Sequence, residues 1–335
     1  MITGNIMNFV RRQFLHLAAS AASLATLPFF SARAQSWPSG AIRIVVPFPP
    51  VGSTDVIARL AQPGLQQRLG TTIILENRPG GSGTIGAAIV AKSPPDGNTW
   101  LLDFDSHAAN QFTMPSLSYD TEKDFGPVQL IGTAPYVLST SASRPFRTLA
   151  DIIAAAKERP ATITVGTVGA GSIGHLGMVM LAERAGITLV HVPYRGGAPQ
   201  MNDLIAGHVD LAIASSAATL PQLQTAAVRP IVQTGAVRVS ALRNVPTVAE
   251  SGFVGFETYA WWGLFAPART PQAIINRLST EFAMSLRDER VVKQLIDTQQ
   301  IALALNGSEE LRKFLAQQMK VWGAIVRENG IKAED

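Results

Sequence analysis

The stretch Ile42–Arg59, IRIVVPFPPVGSTDVIAR, decides how the chain is read. Ile42 to Val46 is a largely β-branched run that suits a buried strand. The breakers Pro47, Pro49, Pro50 and Gly52 follow, and Ser53-Thr54-Asp55 stands just before an apolar pattern of helical period. The order is strand, tight loop, helix. Hydroxyl and carboxylate side chains at 53–55 can satisfy first-turn N–H groups, and a helix start also leaves spare donors and a positive dipole end that favour an anion in the loop.

Outward from this stretch, strand and helix alternate. The pattern predicts a helix over Val56–Leu69 stopped by Gly70, a strand over Thr71–Leu75, and a loop, Glu76–Gly83, feeding a helix at Ile85–Ala91. A third strand, Thr99–Phe104, ends in Asp105-Ser106-His107. From about Pro135 the pattern restarts, with strands expected at Tyr136–Ser141, Ile163–Val168, Leu189–Val192, Asp210–Ala214 and Ile231–Thr234. Helices are expected at Leu149–Glu158, His175–Ala185 and Met201–Ala206, and an apolar strand at Tyr259–Ala266. The remainder, Pro271–Ile331, reads as mainly helix, with Leu311, Phe314, Leu315, Met319 and Trp322 forming a packing stripe. Alternation of this kind implies an α/β fold with mostly parallel sheets covered by helices.

Composition bounds the function. The 335 residues are 47% hydrophobic and 16% charged, as expected of a globular protein with room for two domains. Three of the 28 basic residues fall in the first 34, leaving 25 basic against 24 acidic, so the net charge of +4 points to no acidic partner. No basic stripe interleaved with aromatics supports nucleic-acid binding. Cysteine is absent, which excludes disulfides, thiol nucleophiles and thiolate metal sites. At the N-terminus Arg11-Arg12-Gln13-Phe14-Leu15 precedes an apolar stretch, Leu17–Phe30, and then Ala32-Arg33-Ala34. This is the pattern of an export signal cleaved after Ala34, compatible with the Tat or the Sec route, and its apolar stretch is too short to anchor the chain in a bilayer.

Motifs of enzymes are weak here. Gly169-x-Gly171-x-x-Gly174 matches a dinucleotide fingerprint, but the strand that follows ends in Val192-Pro193-Tyr194-Arg195 with no acid for a ribose hydroxyl. Ser172 with His175 or His191 lacks the Gly-x-Ser-x-Gly elbow, because Ala170 stands at the first glycine. His107, His175, His191 and His208 show no metal spacing. Neither cofactor nor metal is expected.

Several motifs, in order, do carry a signal: Ile44-Val45-Val46-Pro47-Phe48 with Gly52-Ser53-Thr54-Asp55, Glu76-Asn77-Arg78-Pro79-Gly80, Pro95-Asp96-Gly97, His191-Val192-Pro193-Tyr194, Pro246-Thr247-Val248-Ala249-Glu250-Ser251-Gly252 and Gly263-Leu264-Phe265-Ala266-Pro267. They resemble the Bug family, the substrate-binding proteins of tripartite tricarboxylate transporters, and the resemblance runs from about Trp37 to Ile331. It implies a monomeric periplasmic receptor of the type II binding-protein architecture, with two lobes closing by a hinge and no catalysis. Lobe one would hold residues 37–136 and 258–335, lobe two residues 137–257. A carboxylate would lie between loops of the two lobes, and the ligand would pass to permease subunits in the membrane. Carried over by position, Pro49, Pro50, Ser53, Thr54 and Asp55 form the lobe-one loop, Gly171, Ser172 and His175 the lobe-two loop, and Ser106, His107, Tyr194 and Ser215 line the rest of the cleft.

Three positions depart from the family pattern. Val51 replaces the first glycine of a usual pair, Ile173 a hydroxyl residue, and Ala214 a frequent aspartate. Without that acceptor a buried ligand ammonium would be unpaired, which disfavours amino acids. An organic acid with a hydrophobic body, aromatic or medium-chain aliphatic, is expected; a lactone-bearing or citrate-like ligand stays open. The alternatives are a receptor that docks on a sensor kinase, and an α/β enzyme with a nucleotide-binding glycine-rich loop.

Overall fold

The computed structural model describes residues 37–332; the export signal expected before Gln35 lies outside them. The first elements in the chain are β1 (Ile42–Val46), α1 (Ser53–Leu69), β2 (Ile73–Asn77), α2 (Thr84–Ala91), β3 (Thr99–Phe104), α3 (Ser106–Thr113) and β4 (Phe125–Ser141). There follow α4 (Leu149–Glu158), β5 (Thr164–Thr167), α5 (Ile173–Ala185), β6 (Val190–Pro193), α6 (Gly197–Ala206), β7 (Leu211–Ser215), α7 (Ser216–Leu223) and β8 (Val228–Gln233). The chain continues through β9 (Tyr259–Pro267), α8 (Gln272–Leu286), α9 (Glu289–Lys293), β10 (Ala302–Gly307) and α10 (Ser308–Asn329).

Ile42, Ile44, Val45 and Val46 are buried, and β1 lies between β2 and β3, parallel to both. The strands fall into two sheets that β4 joins. Phe125 to Pro135 pair with β9, and Gln129 to Thr133 with β10, whereas Tyr136 onward pairs with β7 and β8. The first sheet has the order β2-β1-β3-β9-β4-β10 and the second β6-β5-β7-β4-β8. In each, a strand that crosses between sheets sits beside the third strand of a βαβ series. Directions follow: β1 to β4 run one way in the first sheet against β9 and β10, and β5 to β8 run one way in the second against β4 alone. The result is a two-lobed α/β architecture. Among the described residues no helix is long and apolar enough to cross a membrane.

The stripe on α10 is core: Leu311, Leu315, Met319 and Trp322 are buried, and Phe314 meets Trp261 edge-on with ring centroids 5.4 Å apart. Four elements differ from what the sequence implies: α3 and α7 form where no helix is expected, and β4 and β10 depart from the expected pattern. β4 starts at Phe125, well before Tyr136, because Pro127 and Gly132 break the apolar period at bulges in its pairing with β9. β10 lies within the stretch read as helix; it is a half-buried strand whose pairing with β4 shifts register between Leu303 and Asn306.

Where the chain passes between sheets, one side chain ties the crossings together. Thr234, buried just after β8, accepts the Tyr136 N–H at 2.9 Å and donates to the Thr258 carbonyl at 2.6 Å. Its own backbone completes the clasp, donating to Tyr136 and accepting from Thr258. Thr234→Val removes both side-chain bonds while keeping the shape, so it should lower stability by about 2–3 kcal/mol. Urea unfolding would show this as an earlier midpoint, and an unchanged midpoint would mean that the clasp contributes nothing.

Candidate functional site

The loop between β1 and α1 is held by a carboxylate. Asp55, fully buried, accepts from the Val51 N–H at 2.9 Å, from Arg59 at 2.7 Å and from Asn77 Nδ2 at 3.0 Å. Asn77 also donates to the Phe48 carbonyl at 3.0 Å, so β2 fastens both ends of the proline-rich turn. Burial alone would raise the Asp55 pKa, but the bonds from Arg59, Val51 and Asn77 outweigh it and hold the carboxyl below its ordinary value. Asp55 therefore shapes the loop. The helix begins at Ser53 with Gly52 as its N-cap, and no side chain caps it. Ser53 and Thr54 thus leave the first-turn N–H groups free of side-chain acceptors, unlike the capping role open to them in the sequence.

Across the cleft, Ser172 caps α5 by accepting the His175 N–H at 3.3 Å, and the Gly171 N–H donates to His175 Nδ1 at 3.1 Å. His175 stacks on His191 with ring centroids 3.7 Å apart, and His191 Nε2 bonds Thr167 Oγ1 at 2.7 Å. Tyr194 donates to Asp203 at 2.8 Å; burial, then that bond, pushes its pKa up to about 12. The two sides meet closely. A Cβ on Gly171 would lie 2.5 Å from Thr113 Oγ1, one on Gly196 would lie 2.8 Å from Pro49 Cδ, and Ser82 donates to the Ala170 carbonyl at 2.7 Å. Deeper in, Asp105 accepts the Tyr136 hydroxyl, and burial pushes its carboxyl well above the usual range.

Between these loops lies a cavity of about 30 Å³. Pro49, Ser53, Thr54 and Ser215 line it, four of the residues expected from the sequence, together with Phe48, Gly52, Phe104, Val168, Gly196, Gly197, Ala198 and Ala218. Three helices start at its wall: α1 after Gly52, α6 after Gly196 and α7 after Ser215, none with a side-chain cap. No lining side chain is charged. Uncapped helix starts around an uncharged pocket favour an anion there, and Phe48, Phe104 and Val168 offer it an apolar wall.

The other expected site residues lie elsewhere. Pro50 is exposed, and Ala214 is buried in an apolar cluster with Met201 and Leu204. Ser106 donates to the Ser82 carbonyl at 2.8 Å. His107 is fully buried, bonded to Asp103 at 2.9 Å and packed against Phe125 and Phe265. Gly171, Ser172 and His175 form the supporting turn rather than the cavity wall. The sequence reading missed Gly196-Gly197-Ala198; the signal was there, since paired glycines directly precede a helical pattern.

A family profile described as "Tripartite tricarboxylate transporter family receptor" matches residues 57–331. The chain belongs to that family. Its receptors are solute-binding proteins, not enzymes. This receptor is 33% identical to BugT of Bordetella pertussis over 301 residues, 89% of this chain and 92% of the other. A protein of R. palustris solved with adipate has a TM-score of 0.84 and 33% identity, covering 88% of this chain and 99% of its own. MatC of Rhodopseudomonas palustris, solved with bound malate, has a TM-score of 0.81 and 29% identity, covering 87% and 100%.

Val51 is 78% exposed and holds φ at 69°, a conformation costly to a β-branched residue. Val51→Gly should raise stability by about 0.5–1 kcal/mol after the looser unfolded chain is counted, seen as a higher Tm; an unchanged or lower Tm would contradict it. Burial, then the neighbouring His191, lowers the His175 pKa to about 3, and burial lowers that of His191 to about 4. Their contribution is full above the ordinary histidine pKa of about 6.5 and is lost as pH falls, because the unfolded chain takes up protons that the folded one refuses. His191→Gln should flatten the fall of Tm between pH 6.5 and pH 4; a slope equal to that of the unaltered protein would refute it.

Proposed function

We propose that this chain is an extracytoplasmic receptor that captures a small organic carboxylate between its lobes and delivers it to permease subunits in the membrane. The signal ending at Ala34 is removed on export. The lobes comprise residues 37–136 with 258–335 and residues 137–257, and they close by bending near Tyr136 and Tyr259, where the chain passes between sheets. The observation that carries the reading is the meeting of three uncapped helix starts on one cavity whose lining has no charged side chain. A carboxylate supplies the acceptors those N–H groups lack, and its apolar body faces Phe48, Phe104 and Val168. The cavity has no acid to pair a ligand ammonium, which speaks against amino acids. The relatives solved with adipate and malate carry carboxylates, in keeping with this chemistry.

An internal carboxylate should compete with the ligand. Gly52 has an N-cap backbone at φ −68° and ψ 161°, and a Cβ there would meet only the Pro49 carbonyl at 3.4 Å. Gly52→Asp fills the cap, keeps or raises stability by a few tenths of a kcal/mol and places a negative charge at the cavity. Calorimetry against mono-, di- and tricarboxylates should find ligands for the unaltered protein and at least about 100-fold weaker binding for Gly52→Asp, while Gly52→Asn retains more. Equal binding by Gly52→Asp, or no carboxylate binding at all by the unaltered protein, would overturn the proposal.

A further inference from the structure

The glycine fingerprint at Gly169, Gly171 and Gly174 is not explained by the cavity at the helix starts, since none of the three lines it. A second glycine run, Gly80-Gly81-Ser82-Gly83, leads into α2. The fold sets the two against each other. A Cβ on Gly169 would collide with Ser82 Oγ, one on Gly171 would lie 2.5 Å from Thr113 Oγ1, and one on Gly174 would lie 3.0 Å from Tyr136 Cε1. The Ser82 hydroxyl donates to the Ala170 carbonyl at 2.7 Å, and the Tyr136 hydroxyl donates to the buried carboxylate of Asp105. Ser82, Asp105 and Thr113 belong to the side of the first sheet, before α2, after β3 and at the end of α3. The glycines lie between β5 and the first turn of α5, and Tyr136 opens the part of β4 that pairs with β7, so all four belong to the second. Ser82 is held in an unusual shape for this contact, with φ at 51°, which is costly to serine. Its carbonyl accepts from Ser106 Oγ at 2.8 Å and from Asn110 Nδ2 at 3.1 Å, so α3 maintains the strained turn that aims the hydroxyl at Ala170.

We infer that the two glycine runs are the halves of a catch that holds the lobes shut before any ligand arrives. Protein groups alone make its contacts: Ser82 on Gly169 and Ala170, Thr113 on Gly171, and Asp105 on Tyr136, whose ring rests on Gly174. Glycine is needed on the second side because a side chain there would keep Ser82 and Thr113 from closing onto the backbone. A shut state that is already populated takes less of a ligand's binding free energy to reach, so the catch would raise affinity without touching the ligand. The inference stands on the two-lobed fold and on these contacts, whatever the ligand is.

The test is solution X-ray scattering of the ligand-free protein and two variants. Ser82→Asn keeps a residue that accepts positive φ but puts bulk where Gly169 leaves no room, so it forces the lobes apart and supplies the scattering of the open form. Ser82→Gly combined with Thr113→Ala removes the hydroxyl of one contact and the branched side chain of the other without adding bulk. Glycine also relieves the strain at position 82, so the double variant should fold, which a cooperative thermal melt checks. The unaltered protein should have the radius of gyration of the shut form, and the double variant should shift to the larger radius and longest dimension of Ser82→Asn. A double variant that scatters like the unaltered protein would overturn the inference, because the lobes would then stay shut without the catch. An unaltered protein as extended as Ser82→Asn would overturn it too, since the contacts would not hold the lobes unaided. Either failure leaves the receptor reading standing, because that reading requires only that the cleft can close around a ligand.

Discussion

Backbone N–H groups in the first turn of a helix have no acceptor within that helix. Three of the described α-helices meet this need with a side chain, α4 through a reciprocal capping box of Thr148 and Asp151, α5 through Ser172 and α9 through Asp288, and the other seven have no side-chain cap. Helices α1, α6 and α7 do not: Gly52, Gly196 and Ser215 stand at their N-caps without a side-chain bond, and all three open on the same cavity. In the proposed function, that unmet need is what a ligand carboxylate would satisfy. Glycine at two of the caps leaves open space where a capping side chain would sit, and the carboxylate of Asp55 is turned back into the loop toward Val51, Arg59 and Asn77.

The sheets exist to bring those helix starts together. β4 serves both, and its change of partners at Tyr136 sets one sheet against the other, with Thr234 binding the return path to it. Close contacts such as Gly196 on Pro49 and Ser82 on Ala170 then define a shut cleft. The stacked pair His175 and His191, both with lowered pKa values, supports the turn at Gly171 without adding charge there near neutral pH.

Much of this was legible in the sequence, and the reason differs by element. β1 and β3 could be read because burial on both faces makes them largely apolar runs, interrupted only by Arg43 in the first and by Thr99 and Asp103 in the second. Pro49, Ser53 and Thr54 could be placed because breakers and a helical period flank them. The length of β4 could not be read, since Pro127 and Gly132 conceal a strand that tolerates them at bulges. Asp55 and His107 show a deeper limit: the family resemblance marks both as candidate ligand groups, yet Asp55 is turned to Asn77 on β2 and His107 is buried against Phe125 and Phe265, contacts that tertiary packing sets. Phe48 and Phe104 reach the cavity only because β1 and β3 are neighbours in the sheet, which no local pattern states.

In the proposed function a carboxylate binds to the backbone at those helix starts. An amide proton–nitrogen correlation spectrum, recorded during titration with adipate, reads those groups directly. The amides of Ser53, Thr54, Gly197 and Ala198 should move together to lower field as the site fills, because each gains a negatively charged acceptor. If they stay in place while adipate binds and the perturbed amides gather elsewhere, the site has been assigned to the wrong part of the molecule.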